Sequence, residues 1–490
     1  MVKSNYTKKT KINKTIKNKT QKSYTIKTSK TKPKLQKQNQ KQKQKTVRII
    51  IFYTQSLEND AKIYKNEFIK QNYKVDFKTI KDINHNHIEK YYDINLFIET
   101  LPFNCKTIFP AKTHLFMPNN EIFIETKSEL YNIHTKDNNN GNGNGNDNDN
   151  DNNNSNDNSN DSSSKSSSKS TSKTKRRYKT HQNNDEYKGV FLYDKYDELK
   201  SIDFVLCKTK ICENAFNFIK NENKYTRKYK YETIYTKFTS IIGKDIINIF
   251  NNNDSTYIKK LIDPNLFMHL GGRSSFKNTP ELVMCWIKNK GFLKIDPDIK
   301  LVITCFRNCF LWFNGILKSY HKYDFEKDPE VNMNYNTNTA TYKNMTIYFK
   351  PIYPYSDFID IITKANIAFC ISNKEGYGHY INEARYMKKF IITLDYPPMN
   401  ELVVDKDDKS GSGNGLVLQK KNKFIKQNYK ETKFNFSEAY PDMDELRDSI
   451  IWCIKHKYEL KKMGENGRQM YLDDKKYFEN SMEKFIRSKL

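Results

Sequence analysis

The chain has 490 residues, 36% of them hydrophobic, and its 85 Lys and Arg against 57 Asp and Glu give a net charge of +28. This length and apolar content suffice for two ordinary cores, so the working count is two domains. No stretch approaches the ~20 apolar residues of a membrane span, and no signal-peptide run is present, so a soluble cytoplasmic protein is predicted.

Two low-complexity segments stand apart from the rest of the chain. Residues 1–46 contain sixteen Lys and neither Asp nor Glu, so they carry +16 of the net charge. We predict a disordered Lys-rich tail there, although counterion release would also allow a weak contact with a polyanion or an anionic membrane surface. Residues 137–184 are rich in Asn, Asp, Gly and Ser and are predicted to be a disordered surface insertion.

Residues 47–262 show the strand and helix alternation of a doubly wound parallel sheet. Val47 to Tyr53 is a continuous apolar run of the kind that a buried parallel strand requires. A helical pattern follows this run, and another is predicted from about Ile211 to Ile219. Three further strands are predicted in this lobe: Lys74–Thr79, Ile94–Ile98 and Phe204–Thr209.

The same alternation repeats in residues 263–465, which predicts a second α/β lobe. The predicted strands are Phe267–Leu270, Lys300–Phe306, Thr346–Lys350, Ile367–Ile371 and Phe390–Leu394. The predicted helices are Thr279–Lys288, Tyr355–Lys364 and His379–Lys388. From Met443 onward, apolar residues at three and four spacing predict further helices.

A turn at the carboxyl edge of this second sheet carries candidate chemistry. Residues 375–378 read Glu-Gly-Tyr-Gly and stand between a predicted strand and the helix that carries Glu383. Ligands of open α/β sheets bind at that edge, glycines let the backbone approach a phosphate, and carboxylates suit sugar hydroxyls. Glycine also serves strand-to-helix turns for geometry alone, so the turn by itself leaves a purely structural role open.

Residues 372–384, reading S-N-K-E-G-Y-G-H-Y-I-N-E-A, together with Asp395–Val403 and Gly415–Leu418, resemble the donor half of retaining GT-B glycosyltransferases of the glycosyl transferases group 1 type. Two glutamates separated by seven residues, here Glu375 and Glu383, are that family's signature. The resemblance implies two Rossmann-like lobes facing a cleft, the first for the acceptor and the second for a nucleotide-sugar. It also implies that a C-terminal helix, residues 466–490, crosses back to the first lobe.

The resemblance also implies roles for individual residues. Glu375 contacts donor hexose hydroxyls and Glu383 binds the ribose, while Arg273 and Lys277, in a loop that resembles the family's first donor-lobe loop, neutralise the diphosphate. We therefore expect three catalytic residues, namely Glu375, Arg273 and Lys277. The expected donor-binding residues are Glu383, Gly272, Gly376, Tyr377, Gly378, His379, Asn400 and Glu401. A capping role stays open for Asn400 and Glu401, and a packing role for His269 and His379.

Two departures from the family pattern affect other parts of the chain. The helix after Glu383 runs into Tyr386–Phe390, where the family usually has a small turn with Gly and then Pro. The first lobe lacks the glycine-rich loop that many relatives carry after the first strand. Loops beginning at Glu99 and Met117 resemble acceptor-side loops, but no residue there is assigned to the acceptor.

The predicted function is hexosyl transfer from a nucleotide-sugar to a glycan, protein or lipid acceptor, with retention and without a cofactor or metal. The eight scattered Cys form no C-x-x-C pair, which speaks against a zinc site. One alternative is an inactive GT-B-fold protein that binds nucleic acid or an anionic membrane surface through Lys-rich tails. Another is a sugar-nucleotide epimerase or a phosphorylase. The nucleotide base, the sugar, the acceptor and the oligomeric state stay open.

Overall fold

The computed structural model describes the parts of the chain that form the two lobes. The described residues are 47–79, 91–99, 101, 109–119, 198–221, 229–252, 258, 261–373, 375–429 and 432–490. The predicted tail, residues 1–46, and the predicted insertion, residues 137–184, lie outside them. The described residues belong to one compact unit, within which two sheets form the two lobes.

The first lobe is built on a six-stranded sheet. Its strands are β1 (Arg48–Tyr53), β2 (Lys74–Thr79), β3 (Ile94–Ile98), β4 (Thr113–Met117), β5 (Phe204–Cys207) and β6 (Glu232–Tyr235). They lie in the order β2-β1-β3-β4-β5-β6, and all neighbouring pairs are parallel. Residues 49–52 of β1 are all buried, so both faces of the strand are covered and its sequence is apolar throughout. The predicted doubly wound sheet is confirmed.

Helices cover the faces of this first sheet. They are α1 (Glu58–Lys70), α2 (Lys210–Asn221) and α3 (Lys244–Asn252). Helix α1 buries Ala61, Tyr64 and Phe68, which recur at the three and four spacing of one helical face. Its first turn also buries Asp60, a residue that the apolar pattern alone would leave in solvent.

The second lobe is built on an eight-stranded sheet. Its strands are β7 (Asp263–Gly272), β8 (Lys300–Cys305), β9 (Val331–Asn334), β10 (Thr339–Tyr342), β11 (Met345–Tyr348), β12 (Ala365–Cys370), β13 (Phe390–Leu394) and β14 (Gly415–Leu418). They lie in the order β14-β13-β12-β7-β8-β11-β10-β9, and only the pairs formed by β10 are antiparallel. The fold is therefore mixed α/β with two Rossmann-like lobes, as predicted.

The helices of this lobe and the C-terminal segment follow the strands in chain order. They are α4 (Thr279–Lys288), α5 (Arg307–Ser319), α6 (Tyr355–Lys364), α7 (His379–Tyr386), α8 (Met443–Lys455) and α9 (Leu460–Lys489), with a two-stranded sheet of β15 (Lys420–Tyr429) and β16 (Thr432–Pro441) before α8. The sequence pattern does not predict α5. That helix leaves Leu311 and Trp312 exposed opposite its buried face, which obscures the helical periodicity.

The last helix, α9, joins the second lobe to the first. Its Phe478 ring packs 5.9 Å from the Tyr64 ring of α1 and 5.4 Å from the Phe238 ring beyond β6. Further along, Phe485 packs 5.3 Å from Phe204 at the start of β5. The helix begins at Leu460, before the residue 466 at which the crossing helix is predicted to start. None of the helices in the described part of the chain is both long and apolar enough to cross a bilayer.

The carboxyl edges of the two sheets face each other. Loops after β4, β5 and β6 of the first sheet contact loops after β12 and β13 and the start of α7 in the second. Within the second sheet, β7 lies between β8, the next strand along the chain, and β12, which the chain reaches only after β11. This reversal of strand order makes the edge between β7 and β12 a topological switch point, where open α/β sheets bind ligands.

Candidate functional site

Two loops meet at the switch point of the second sheet. The loop after β7, residues 273–278, and the loop after β12, described at residues 371–373 and 375–378, leave adjacent parallel strands at the same edge. The backbone N–H of Asn373 donates to the Phe276 carbonyl at 2.7 Å and ties the two loops together. Residues that are about 100 positions apart in the sequence therefore line one edge.

Lys277 and Glu375 form an ion pair across these two loops. Their side chains are only 11% and 16% exposed. Ser372 Oγ donates to Glu375 Oε1 at 2.9 Å, and the Lys277 ammonium lies 3.4 Å from the centroid of the Tyr380 ring. The fold thus brings two of the three predicted catalytic residues into direct contact, in surroundings where charge interactions are stronger than in bulk water.

Arg273, the third predicted catalytic residue, lies on the same loop as Lys277 but in different surroundings. It is exposed, and its guanidinium stacks 4.5 Å from the centroid of the Phe306 ring. The Phe306 N–H donates at 2.8 Å to the carbonyl of Gly272, the predicted donor-binding residue that ends β7. No carboxylate pairs with Arg273 within the described residues. A stacked guanidinium without an anion is ready to bind one.

Glu383 lies in the second turn of α7 and is half-buried. In the described part of the chain, no hydrogen bond or ion pair engages its carboxylate. Burial raises the pKa of this carboxyl, and the nearby His379 and Lys277 oppose the rise. A carboxylate that has lost part of its water without gaining a protein partner is suited to accept hydrogen bonds from a ligand.

Residues 375–378 form the turn that carries Glu375, called the glutamate turn below. Its two glycines are needed for different structural reasons. Gly378 caps α7 with a φ of 102°, a left-handed conformation that side chains rarely adopt. Gly376 lies against Asn119 of the first lobe, and a Cβ added to it would stand 2.3 Å from Asn119 Oδ1. Gly376 is therefore required by the close approach of the two lobes.

The side chains of Tyr377 and His379 reach the first lobe. Tyr377 is buried, and its hydroxyl donates to the Phe238 carbonyl at 2.6 Å. His379 bonds through Nε2 to Asp60 Oδ1 at 2.8 Å and through Nδ1 to Ser240 Oγ at 2.9 Å. Both side chains are therefore engaged in hydrogen bonds across the lobes.

Asn400 and Glu401 also act between elements. Glu401 accepts from the backbone N–H groups of Lys210 at 2.8 Å and Ile211 at 3.0 Å, so its carboxylate caps α2 of the first lobe. The capping alternative from sequence analysis therefore describes Glu401, but the capped helix belongs to the other lobe. Asn400 Nδ2 donates to Asp395 Oδ1 at 2.9 Å within its own loop.

His269 is a buried structural residue. The sequence alone leaves open whether it contacts a ligand or packs in the core. Its Nδ1 bonds to the Phe369 carbonyl at 3.1 Å and its Nε2 to Thr279 Oγ1 at 3.0 Å. Burial lowers the pKa of this imidazole to about 4, so the ring is neutral at pH 7. Its role is to connect β7 to β12 and to the start of α4.

A separate cavity of about 850 Å³, lined by polar and apolar side chains and including Asn400, lies between β14, α8 and the loop that follows β13. Its lining contains neither the two cations of the β7 loop nor the glutamates of the β12 turn. Five carboxylates line it, those of Asp395, Asp405, Asp407, Glu445 and Asp448. A surplus of negative charge repels a diphosphate, so this cavity does not suit an anionic nucleotide. Among the described residues, no cluster of three or more His, Cys, Asp or Glu side chains could hold a metal ion.

Sequence reasoning does not identify the first-lobe residues that contact the glutamate turn. Asp60 lies in the first turn of an amphipathic helix, where acidic residues are common for helix stability alone. Lys208 and Ser240 follow strands of the first sheet and belong to no motif. Their contacts join residues 139 to 319 positions apart, and no local pattern signals such a pairing.

No protein-family model matches the chain, and no curated protein matches it either. Among solved structures, the chain is similar to a sucrose-phosphate synthase from Thermosynechococcus elongatus at 9% identity and a TM-score of 0.49, covering 90% of this chain and 98% of that one. It is also similar to WaaG, a glycosyltransferase involved in lipopolysaccharide biosynthesis, at 9% identity and a TM-score of 0.46, covering 91% and 100%.

A third similar structure is the C-terminal domain of a glycosyl transferase group 1 family protein from Francisella tularensis. The identity is 19% and the TM-score 0.31, over 47% of this chain and 97% of that one. Since all three TM-scores lie below 0.5, the function of the chain rests on its own residues.

Proposed function

We propose that the chain is a glycosyltransferase that moves a hexosyl group from a nucleotide-sugar to an acceptor with retention of anomeric configuration. The observation that carries this proposal is that the two loops of the switch point carry two cations and two carboxylates, of which Lys277 and Glu375 are in direct contact. Arg273 and Lys277 come from the loop after β7, and Glu375 and Glu383 come from the turn and helix after β12. A nucleotide-sugar presents both an anionic diphosphate and hydroxyl groups, and this set of side chains offers partners for each.

Arg273 and Lys277 would bind the diphosphate of the donor. The exposed guanidinium of Arg273 has donors in a fork that matches phosphate oxygens, and Lys277 adds a second positive charge on the same loop. When the bond between the sugar and the diphosphate breaks, negative charge builds on the leaving group. Cations that are already in place stabilise this charge without reorganising, so the two residues lower the barrier and replace a metal in that role.

Glu375 and Glu383 would bind the two ends of the same ligand. Glu375 stands on the turn, and Glu383 stands about one helical turn inside α7, so an extended ligand can contact both. Glu375 would accept hydrogen bonds from the hydroxyls of the hexose. Glu383, which has no partner within the part of the chain that the structure describes, would accept them from the ribose.

Donor binding would exchange the Lys277–Glu375 ion pair for contacts with the ligand. Separating a mostly buried ion pair is costly when the two charges are left without partners. The nucleotide-sugar supplies a phosphate oxygen for Lys277 and a hydroxyl for Glu375 in the same event, so each group gains a new partner as it loses the old one. A phosphate without a sugar would satisfy only one of the two.

The remaining catalysis would come from orientation and from exclusion of water between the lobes. The first lobe would hold the acceptor, a glycan, protein or lipid, so that its hydroxyl faces the sugar carbon that the diphosphate leaves. Holding two reactants in this geometry removes much of the entropic barrier of a bimolecular reaction.

A thermal-shift screen of UDP-, GDP- and ADP-sugars, followed by donor hydrolysis, tests the proposal. One nucleotide series should raise the melting temperature, and the Glu375→Ala variant should hydrolyse that donor at least about 100-fold more slowly than wild type. Glu330→Ala is a matched control, because this carboxylate is half-exposed and its partners are Lys343 and Tyr342, which lie outside the two loops of the switch point. The proposal is wrong if no nucleotide-sugar stabilises the protein or if Glu375→Ala is as active as wild type.

Deleting residues 1–46 separates the proposed transferase from a protein that works through its Lys-rich tail. Turnover on a small acceptor should survive the deletion, since the residues proposed for the donor all lie beyond residue 271. If the deletion abolishes every measurable interaction and wild type binds only polyanions or anionic vesicles, the inactive alternative is correct.

A further inference from the structure

The first lobe contains a buried ion pair directly opposite the glutamate turn. Lys208 follows β5, and its ammonium lies 2.9 Å from Asp60 Oδ2 on α1. Both side chains are 2% exposed. Removing two charges from water is costly, and a buried pair persists only where good geometry and further hydrogen bonds compensate.

Each partner of this pair makes a further hydrogen bond that leads to the glutamate turn, and the Lys208 ammonium also lies 6.0 Å from the centroid of the Tyr377 ring in that turn. Asp60 Oδ1 accepts from His379 Nε2 at 2.8 Å, and His379 is the first residue of α7. Burial alone would raise the pKa of the Asp60 carboxyl, but Lys208 and His379 hold it below its usual range, so Asp60 is an anion at neutral pH. The histidine ring is fixed on its other side by Ser240 Oγ at 2.9 Å.

Lys208 reaches the turn through Asn119. Its ammonium donates to Asn119 Oδ1 at 2.6 Å, and the same oxygen is the atom that a side chain on Gly376 would strike first. Asn119 is therefore held by Lys208 in contact with the Gly376 backbone. Gly376 is the residue next to Glu375, so this contact lies one peptide away from the proposed sugar-binding carboxylate.

We infer that Asp60 and Lys208 are positioning residues for the donor site, which hold both ends of residues 376–379 and thereby set the position of Glu375. This inference rests on the proposed function. The pair acts on the turn through Asn119 at Gly376, through His379 at the start of α7 and through the Lys208 ammonium over the Tyr377 ring. Since a displacement of 1 Å at a reacting centre can cost about 100-fold in rate, a loosened turn should impair the step that involves the sugar.

A purely structural role, in which the pair only holds the two lobes together, predicts a different result. Loss of adhesion would lower stability, or would weaken the binding of every ligand in the cleft to a similar extent. Loss of positioning would act on the sugar end alone, because Arg273, Lys277 and Glu383 would still bind the nucleoside diphosphate. Three quantities together therefore distinguish the two roles: the affinity for the nucleoside diphosphate, the affinity for the nucleotide-sugar and the rate of donor hydrolysis.

The test variant is Asp60→Leu/Lys208→Met, which removes both charges and their polar contacts toward the turn but fills similar volume. Replacing a whole buried pair by apolar residues is often neutral for stability, whereas removing one partner strands a buried charge. The matched control is Asp296→Leu/Lys457→Met, which removes a Lys–Asp pair with an N–O distance of 2.5 Å and side-chain exposures of 13% and 16%. That control pair makes no contact with residues 376–379 in the described structure.

The experiment measures two Kd values on the full chain by calorimetry, one for UDP and one for UDP-glucose, together with the rate of donor hydrolysis. If the screen selects GDP- or ADP-sugars, the corresponding diphosphate and nucleotide-sugar replace this pair. We expect the Asp60/Lys208 variant to keep the Kd for the nucleoside diphosphate within about threefold, to lose about tenfold in affinity for the nucleotide-sugar and to hydrolyse it about 10- to 100-fold more slowly. The control should match wild type in all three. Equal losses for both ligands, or no loss of hydrolysis, overturn the inference.

A second variant keeps the test decisive if the double replacement does not fold. Asn119→Ala removes the contact with Gly376 and leaves the ion pair in place, so its hydrolysis rate should fall with the same preference for the sugar end, by a smaller factor of about threefold to tenfold. An Asn119→Ala variant with the wild-type rate overturns the inference. Absence of nucleotide-sugar binding by wild type would instead contradict the proposed function.

Discussion

Charged residues face each other from the two lobes, and they differ in surroundings more than in type. On the second lobe, Arg273 is exposed without a carboxylate partner, and Glu383 is half-buried without one, within the described residues. On the first lobe, Asp60 and Lys208 are almost fully buried and satisfy each other. A buried and satisfied charge fixes geometry, whereas a charge without a protein partner is available to a ligand.

Lys277 and Glu375 lie between these extremes. They are paired like the first-lobe residues, yet both keep some exposure and lie on loops at the switch point. Their contact is therefore suited to be exchanged for a ligand, while the Asp60–Lys208 contact is suited to persist. Substitutions on either side of this contrast should change different measurable quantities.

Replacing Arg273 should have the largest effect, because it removes a cation that acts on developing charge. We expect Arg273→Ala to slow donor hydrolysis about 100- to 1000-fold, or about 3–4 kcal/mol of transition-state stabilisation, with little change in stability. Arg273→Lys should recover part of the rate because it keeps the charge but loses the fork.

Arg447 provides the control for this change. It is a partly exposed arginine on α8 whose partners are Asp444 and Asp448. Arg447→Ala should leave hydrolysis within about twofold of wild type, since surface ion pairs contribute little. If Arg273→Ala and Arg447→Ala are equally active, an exposed arginine without a carboxylate does not identify the diphosphate site.

Adding a methyl group at Gly376 tests the contact between the lobes. The new Cβ would stand 2.3 Å from Asn119 Oδ1, and Asn119 is held by Lys208, so it cannot move without breaking that bond. We expect Gly376→Ala to lower the free energy of unfolding by about 2 kcal/mol in urea titrations. Adding Asn119→Ala to the same chain should restore most of the lost free energy of unfolding. If the effects of the two substitutions on this free energy simply add, the contact is contradicted.

The pH dependence of stability tests the structural role assigned to His269. Its pKa is about 4 in the folded chain, against 6.5 when unfolded, so the unfolded state binds protons first as the pH falls. Stability from this residue is therefore complete above pH 6.5 and is lost between pH 6.5 and 4. We expect wild type to lose about 1.3 kcal/mol of unfolding free energy from pH 7.5 to 5.5 through His269. His269→Gln should lack this component, and its donor affinity should not acquire a pH dependence.

Lys389 should give the smallest effect. It occupies the turn where the family pattern expects Gly and Pro, it is fully buried, and its ammonium donates to the Thr363 carbonyl at 2.6 Å. Burial lowers the pKa of Lys389 to about 7, so the unfolded chain binds more protons between pH 7 and 10.5 and stability rises with pH across that window. Lys389→Met should stabilise the protein by about 1 kcal/mol at pH 7 and flatten this rise. Destabilisation at pH 7 would show that the Thr363 contact outweighs the burial cost.

The fold could be read from the sequence where burial imposes a simple pattern. Helix α4, helix α6 and strand β13 have the predicted bounds, because their apolar residues repeat with the period of one buried face or form one unbroken run. Helix α5 and the β9–β10 pair escape prediction. One has an exposed apolar face, and the other is a short antiparallel edge whose strands are four residues each.

The site could be read only in part. The glutamate turn and the cationic loop carry local signals, glycines and charges at strand ends, and the structure joins them through the Lys277–Glu375 pair. The partners of the turn in the first lobe carry none. Asp60 contacts His379 across 319 positions, and Glu401 contacts α2 across 190 or more, so each depends on how the lobes dock and not on any neighbouring residue.

The assignment of Glu375 to the donor sugar and Glu383 to the nucleotide is tested most directly by calorimetry with UDP and UDP-glucose, or the pair that the screen selects. Glu383→Gln should weaken both ligands by the same factor of about tenfold, because both contain the ribose. Glu375→Gln should weaken only the nucleotide-sugar, by about tenfold, and should leave UDP unchanged or tighter because Lys277 is released from its ion pair. Equal weakening of UDP and UDP-glucose by Glu375→Gln would contradict the assignment.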